Sequence, residues 1–203
     1  MGTIELLGLA GSVSLLAGWR LYLCVFATGL AMRTGWVDLP DRLDMLGALA
    51  NPWVIGAAFV GLVAEFFADK VAWLDSAWDA VHSVIRPLGG ALLSLAIVDA
   101  QDPAWQVAAF LLGGGGAALS HGAKASARAL VNASPEPVSN VVVSTGEDVA
   151  TGGMLALAFA SPEAAVVIAL IALGFAVVVL IYARRAIRSL LRLRDRIVPP
   201  PVP

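Results

Sequence analysis

The sequence predicts an all-α, polytopic transmembrane helix bundle of about six spans, arranged as three helical hairpins. Three observations predict it. Apolar residues make up 59% of the 203 residues and charged residues only 14%, where an average soluble domain carries about 25% charged residues, and mean hydropathy is +0.84. Apolar stretches recur along the whole chain at a length suited to a bilayer, which needs about 20 residues per helix. The charge is asymmetric: residues 1–183 hold seven Lys/Arg against fourteen Asp/Glu, and residues 184–203 hold six Arg and one Asp. A basic tail behind an apolar run marks the cytoplasmic end of a membrane protein and not a nucleic-acid arm. The reading is one transmembrane domain over 1–198, with hairpins at about 4–70, 75–131 and 138–190, and a basic, then Pro-rich, cytoplasmic tail over 184–203.

Taken in order, the apolar segments lie at about 4–32, 51–68, 88–99, 104–123, 141–160 and 163–183. Met1 to Ala10 lacks a basic region and a small-residue cleavage site, so it reads as the start of the first helix and not as a removed leader. Cys24 sits in this first run; a single cysteine builds neither an internal disulfide nor a multi-cysteine zinc site and acts here as a small hydrophobe. The second, fourth and sixth segments open alike, at Asn51-Pro52, Asp102-Pro103 and Ser161-Pro162. Asn, Asp and Ser cap helix N-termini, and proline suits the first helical position because its missing N–H would be unpaired there. These helices end near Lys70, near Lys124 and Arg128, and near Arg184, Arg185 and Arg188. The third and fifth segments are too short to span from their Gly-Gly pairs onward, and gain length only by taking in the polar stretches before them. Broken helices near Pro87–Gly90 and Thr151–Gly153 are therefore expected, as in transporters that build binding sites from discontinuous helices. Gly89-Gly90-Ala91-Leu92 before Asp102-Pro103 resembles Gly152-Gly153-Met154-Leu155 before Ser161-Pro162, which reads as a weak parallel repeat.

Orientation follows from Lys and Arg. The Pro-corner side holds Arg33 and Arg42 amid Asp38, Asp41, Asp44, Asp99, Asp102 and Glu163; the opposite side holds Lys70, Arg86, Lys124, Arg128 and the tail. Both termini are expected to be cytoplasmic, in an inner (cytoplasmic) membrane, with the lipid bilayer as a partner and no nucleic acid.

The informative residues are the charged ones inside these segments. Asp75, Asp79, His82 and Arg86 are spaced +4, +3 and +4 and share one helical stripe. Glu65 and Asp69 are four apart, with Lys70 next. His121, Lys124 and Arg128 share a face, as do Ser144, Glu147 and Thr151, with Asp148 adjacent. Arg20 lies in the middle of the first segment. A charge at the bilayer centre costs about 3 kcal/mol on insertion scales, so these groups must pair or face water. Arg20 is expected to meet Glu65 or Glu147, and Asp79 to meet Arg128 or Lys124. The bland alternatives are a surface amphipathic helix over 69–86 and an ordinary positive-inside helix end for His121, Lys124 and Arg128. A divalent metal at Asp75, Asp79 and His82 is chemically reasonable, although a stripe of both signs is more often a salt-bridge network. Gly113 to Gly116 lacks the Gly-Lys-Ser/Thr of a phosphate loop and reads as close helix packing.

The set Glu65, Ala68-Asp69-Lys70, Asp75, Asp79, His82 and Arg86-Pro87 resembles the bacterial membrane proteins grouped as domain of unknown function 4126. The Gly-rich run followed by His121, Lys124 and Arg128 adds to the resemblance, as do Gly18-x-Arg20 and Glu147-Asp148. It covers nearly the whole chain apart from 199–203, and implies a small multi-helix inner-membrane protein without implying an activity.

The charged residues at membrane depth and the short helices lead to a transporter or channel for an ion or small polar solute. Its transport or binding residues would be Arg20, Glu65, Asp69, Asp75, Asp79, His82, Arg86, His121, Lys124, Arg128 and Glu147. The alternatives are a membrane-embedded metal-dependent enzyme acting on a lipid or phosphorylated substrate, and a non-catalytic membrane subunit. The many Gly and Ala residues are compatible with a homo-oligomer.

Overall fold

The computed structural model describes residues 3–35, 47–98, 102–132 and 137–197. These form helices α1 (Thr3–Arg33), α2 (Pro52–Ala68), α3 (Ala72–Val98), α4 (Pro103–Asn132), α5 (Pro137–Ala160) and α6 (Pro162–Ile197), with a short 3-10 turn at Ala48–Ala50 and no strand among the described residues. Asp38, Asp41, Arg42, Asp44, Asp99 and the Pro-rich end 199–203 lie outside the described residues.

The three expected caps form. Asn51 Oδ1 accepts from Trp53 N at 2.9 Å, Asp102 Oδ1 from Ala104 N at 2.8 Å, and Ser161 Oγ from Ala164 N at 3.2 Å. Each satisfies an N–H that has no partner within its own helix.

The largest departure from expectation is in α1. Arg20 leaves the helical region (φ −142°, ψ 75°) and divides the helix into two arms, residues 3–19 and 21–33. The contacts of the arms show that the chain turns back there. A Cβ on Gly8 would run into Val166, and one on Gly11 would meet Ala169, both near the start of α6. Leu7 shares a cleft with Val98 and Trp105. At the other end of α1, Gly29 packs on Leu49 and Ile55, and Leu30 and Thr34 share a cleft with Phe159 and Ala160. A straight helix would hold Gly8 and Leu30 about 33 Å apart at 1.5 Å per residue. Yet their neighbours Val166 and Phe159 are joined through the tight Ser161 corner. Both ends of α1 therefore lie at the Pro-corner end of the bundle, and Arg20 is the tip of a helical hairpin.

This has two consequences. By length and composition Ile4–Arg33, Ala72–Val98 and Glu163–Ser189 could each cross a membrane, but the first is two half-length arms, of about 25 and 20 Å. And α6 starts beside Gly8 and runs past Gly122 at Leu180, so its Ile197 end is remote from the Thr3 end of α1. The Thr3 end of α1 and the Ile197 end of α6 thus lie at different ends of the bundle, because the first segment does not run straight.

The expected breaks at Pro87–Gly90 and Thr151–Gly153 are absent: α3 and α5 run through them as continuous helix. Two glycines cost about 1 kcal/mol each relative to alanine. Freeing backbone groups in hydrocarbon costs several kcal/mol apiece, which outweighs that. Around Pro87 the helix is held by close packing, with Gly89 against Leu21 and Gly90 against Ala117. The Gly113–Gly116 run is likewise helical, and Gly113 sits against Ser94.

α1 touches every other helix, and α3 and α4 pack extensively on each other. Near the Pro corners the interior is apolar, with Leu9, Val13, Leu16, Leu93, Ile97 and Leu155 in one core. The outside is apolar too: Trp53, Leu112, Val149 and Leu170 are 65% exposed or more. Meanwhile Arg20, Glu65, Asp69, Arg86 and Lys124 are wholly buried. Polar inside and apolar outside is the arrangement of an integral membrane protein, whose solvent is lipid.

Candidate functional site

All eleven residues singled out from the sequence are buried, none more than 7% exposed; ten of them meet in one network between α1 and the four helices α2 to α5, and His82 adjoins it against Tyr22 and Trp78. The helical spacing accounts for this on each element. Asp75, Asp79, His82 and Arg86 line the inner face of α3; His121, Lys124 and Arg128 line that of α4; Ser144, Glu147 and Thr151 line that of α5.

Arg20 is the hub. Its guanidinium donates to Asp69 and, at 3.1 Å, to Glu147; it also donates to Ser144 O at 3.0 Å. Asp148 Oδ1 is 3.0 Å from Arg20 Nε, in ion-pair contact but not aligned as a hydrogen bond, and Glu65 Oε1 is 4.0 Å from Nη1. Lys124 Nζ adds contacts to Asp69 at 3.3 Å and to Glu65 and Glu147 at 3.8 Å. The break at Arg20 also frees carbonyls at the end of the first arm. Lys124 Nζ donates to Trp19 O at 3.3 Å and Arg86 Nη1 reaches Gly18 O at 3.5 Å. Two cations thus cap the negative end of a half-helix, which explains how non-helical backbone persists inside the bundle.

On either side of this hub the pairs are more local. Arg86 donates to Glu65 and, at 3.1 Å, to Asp79. Arg128 Nε is 3.1 Å from Asp75 Oδ2, which also accepts from Asn132 Nδ2 at 2.6 Å, and the Arg128 guanidinium donates to Asp69 O and to Asn140 O. A guanidinium only donates, so the 2.7 Å contact of Arg86 Nη1 with His121 Nδ1 makes that nitrogen an acceptor. The His121 proton then sits on Nε2, 3.1 Å from Asp79 O. In His82 the roles are reversed: Nδ1 donates to Trp78 O at 2.7 Å, and Nε2 meets the Tyr22 hydroxyl at 3.0 Å. Trp78 stacks on the His82 ring with centroids 4.4 Å apart.

Arg20 meets Glu147 as expected and comes within ion-pair reach of Glu65. The pairing expected for Asp79 does not form: Asp79 binds Arg86, seven residues on along its own helix, and Arg128 is paired with Asp75. The surface-helix alternative for 69–86 is excluded by the burial of Asp75 and Asp79. Among the described residues no group of three His, Cys, Asp or Glu side chains is placed to hold a metal ion. Asp75 and Asp79 face guanidinium groups and His82 faces Tyr22, so the three do not converge as a ligand set. Tyr22, Asn132, Asn140 and Asp148 join the cluster beyond the residues the sequence singles out; for Asp148 the signal is its place beside Glu147, these two being the charged residues of α5.

The family model described as Domain of unknown function (DUF4126) matches residues 7–181, from the first arm of α1 to the middle of α6. The chain belongs to that family. The matched stretch contains every member of the charged network, so the network lies wholly within the part of the chain that defines membership. No curated protein and no solved structure matches the chain.

Proposed function

We propose that the protein is a membrane transporter or channel for an ion or small polar solute, and that the network around Arg20 is its binding site. One observation carries the reading. The first helix turns back at Arg20, and this non-helical tip lies inside the bundle against Glu147, Asp148 and Lys124. Non-helical backbone inside a membrane bundle is costly and is characteristic of sites where transporters hold ions. Ionisable groups at that depth are rare and mark ion or proton pathways. The bundle is divided accordingly, with an apolar core toward the Pro corners and the charged network beyond it.

In this reading the protein sits in the bacterial inner membrane with the basic end of α6 in the cytoplasm. The Pro corners and the Thr3 end of α1 face outward, and α1 enters as a re-entrant hairpin beside five crossing helices. The test is flux into proteoliposomes, followed as current or tracer uptake over a panel of small inorganic ions and protons. Asp79→Asn and Arg20→Lys, checked for insertion and monodispersity, should abolish the flux, because neither side chain can keep all its partners. Full flux in both variants would overturn the site assignment, and no flux of any ion by the wild type would overturn the transport reading.

A further inference from the structure

We propose that the exchangeable charge of this site is a single proton, shared by Glu147 and Asp148, both of which contact the Arg20 guanidinium. The proposal deepens the transport reading and rests on it for its purpose; the presence of the proton rests on the charge balance alone.

The fully buried cations are Arg20, Arg86, Lys124 and Arg128. Against them stand Glu65, Asp69, Asp75, Asp79 and Glu147. Lys70 and Asp148 are only partly covered; Lys70 Nζ donates to Ser144 Oγ at 3.1 Å and Asp148 contacts Arg20, and their two charges cancel in the count. His121 adds no charge because its Nδ1 accepts from Arg86, and His82, whose Nδ1 donates to Trp78 O, is neutral when its Nε2 accepts from the Tyr22 hydroxyl. The network therefore holds one negative charge too many for a medium where an uncompensated ion is expensive.

One added proton removes the surplus charge and gives Asp148, whose Oδ2 accepts no hydrogen bond, a donor of its own.

The partners of each acid locate it. Asp75 has Arg128 and Asn132; Asp79 and Glu65 share Arg86; Asp69 has Arg20 and Lys124. Glu147 and Asp148 are left to share an Arg20 already bound to Asp69, at 3.1 Å from Nη2 and 3.0 Å from Nε, with Lys124 no nearer to Glu147 than 3.8 Å.

Access favours the same two. Glu147 lies on the wall of a cleft of about 470 Å³ formed with Trp19, Ala127, Thr151 and Phe175. Asp148 lies on a different cleft, of about 370 Å³, formed with Leu23, Leu62, Phe66 and Phe67. Successive helix residues point about 100° apart, so one turn of α5 presents a carboxyl to each cleft while both touch one guanidinium. A proton taken up at Glu147 can leave from Asp148: the O–H bond breaks on one carboxyl and forms on the other, Arg20 stays cationic, and the network's charge is unchanged.

The test is infrared difference spectroscopy of the full-length protein in lipid nanodiscs, titrated around neutral pH, with parallel proton flux in potassium-clamped proteoliposomes. The wild type should show the C=O stretch of a protonated carboxyl, worth about one group per chain. That band should vanish in Glu147→Gln and in Asp148→Asn, since removing one negative charge removes the need for the proton, and persist in Glu163→Gln at the exposed start of α6. A wild type with no such band, or a band kept in both variants, overturns the proposal; so does loss of the band on adding sodium or potassium at fixed pH, which would make the charge a metal cation. Flux without the band leaves the transport reading standing and removes the proton. The band without flux upholds the bound proton and removes the transport reading.

Discussion

Replacing Arg20 by alanine is the most searching perturbation of this bundle. The guanidinium contacts Asp69, Glu147 at 3.1 Å, Asp148 at 3.0 Å and Ser144 O at 3.0 Å. Two unit charges 4 Å apart attract by about 4 kcal/mol at an effective dielectric constant of 20, so Asp69 and the one charge left on the Glu147–Asp148 pair together account for about 8 kcal/mol. Part of the loss is recovered, because Lys124 already stands 3.3 Å from Asp69 and 3.8 Å from Glu147. The expected net destabilisation is about 3–5 kcal/mol, the cost of leaving buried charges without a partner. That magnitude discriminates, since ordinary interhelical hydrogen bonds in membranes average only about 0.6 kcal/mol. The assay is reversible unfolding in mixed micelles. In an Arg20→Ala, Asp69→Ala cycle the double variant should be more stable than additivity allows by about 0.5–3 kcal/mol, the range for directly coupled residues. A single variant within about 0.5 kcal/mol of wild type, or strict additivity, would refute the view that Arg20 holds the network together.

Two further outcomes follow from the fold. Because α1 turns back at Arg20, cysteines introduced as Thr3→Cys and Ser189→Cys should be labelled by a membrane-impermeant thiol reagent from opposite faces of sealed vesicles; native Cys24 is fully buried and should stay silent. Labelling of both from one face would refute the hairpin. Gly18 faces α4 so closely that an added Cβ would strike Ala117 O and lie 2.8 Å from Ser120 Cβ. Gly18→Ala should therefore cost about 1–3 kcal/mol of overpacking strain, read as a lowered thermal midpoint in detergent, and an unchanged midpoint would show that the arm of α1 has room to move.

Which charged residues lie buried inside the bundle was legible in the sequence. In a chain this apolar a charged residue cannot face lipid, so helical spacing alone assigns Asp75, Asp79, His82 and Arg86 to one inner stripe, and the same reasoning places His121, Lys124, Arg128 and Glu147. The capped Pro corners were equally legible because a cap is a contact between neighbours in sequence. The pairings were not. Asp79 with Arg86, and Asp75 with Arg128, follow from how far apart and at what height α3 and α4 pack, and helical spacing carries no information about that.

A helical bundle with its charges turned inward is dictated residue by residue, because hydropathy and burial cost act on each side chain separately. Where the backbone breaks depends instead on how the helices pack. Pro87 and the Gly152-Gly153 pair are the local signals for a break, and both remain helical because unpaired backbone groups are too costly in lipid. Arg20 carries no such signal, and the chain turns there. The carbonyls it frees are met by Arg86 and Lys124, residues remote from it in sequence, and its guanidinium is met by acids from α5 and from the turn after α2. A break inside a membrane bundle is stable only where distant parts of the chain supply its missing partners.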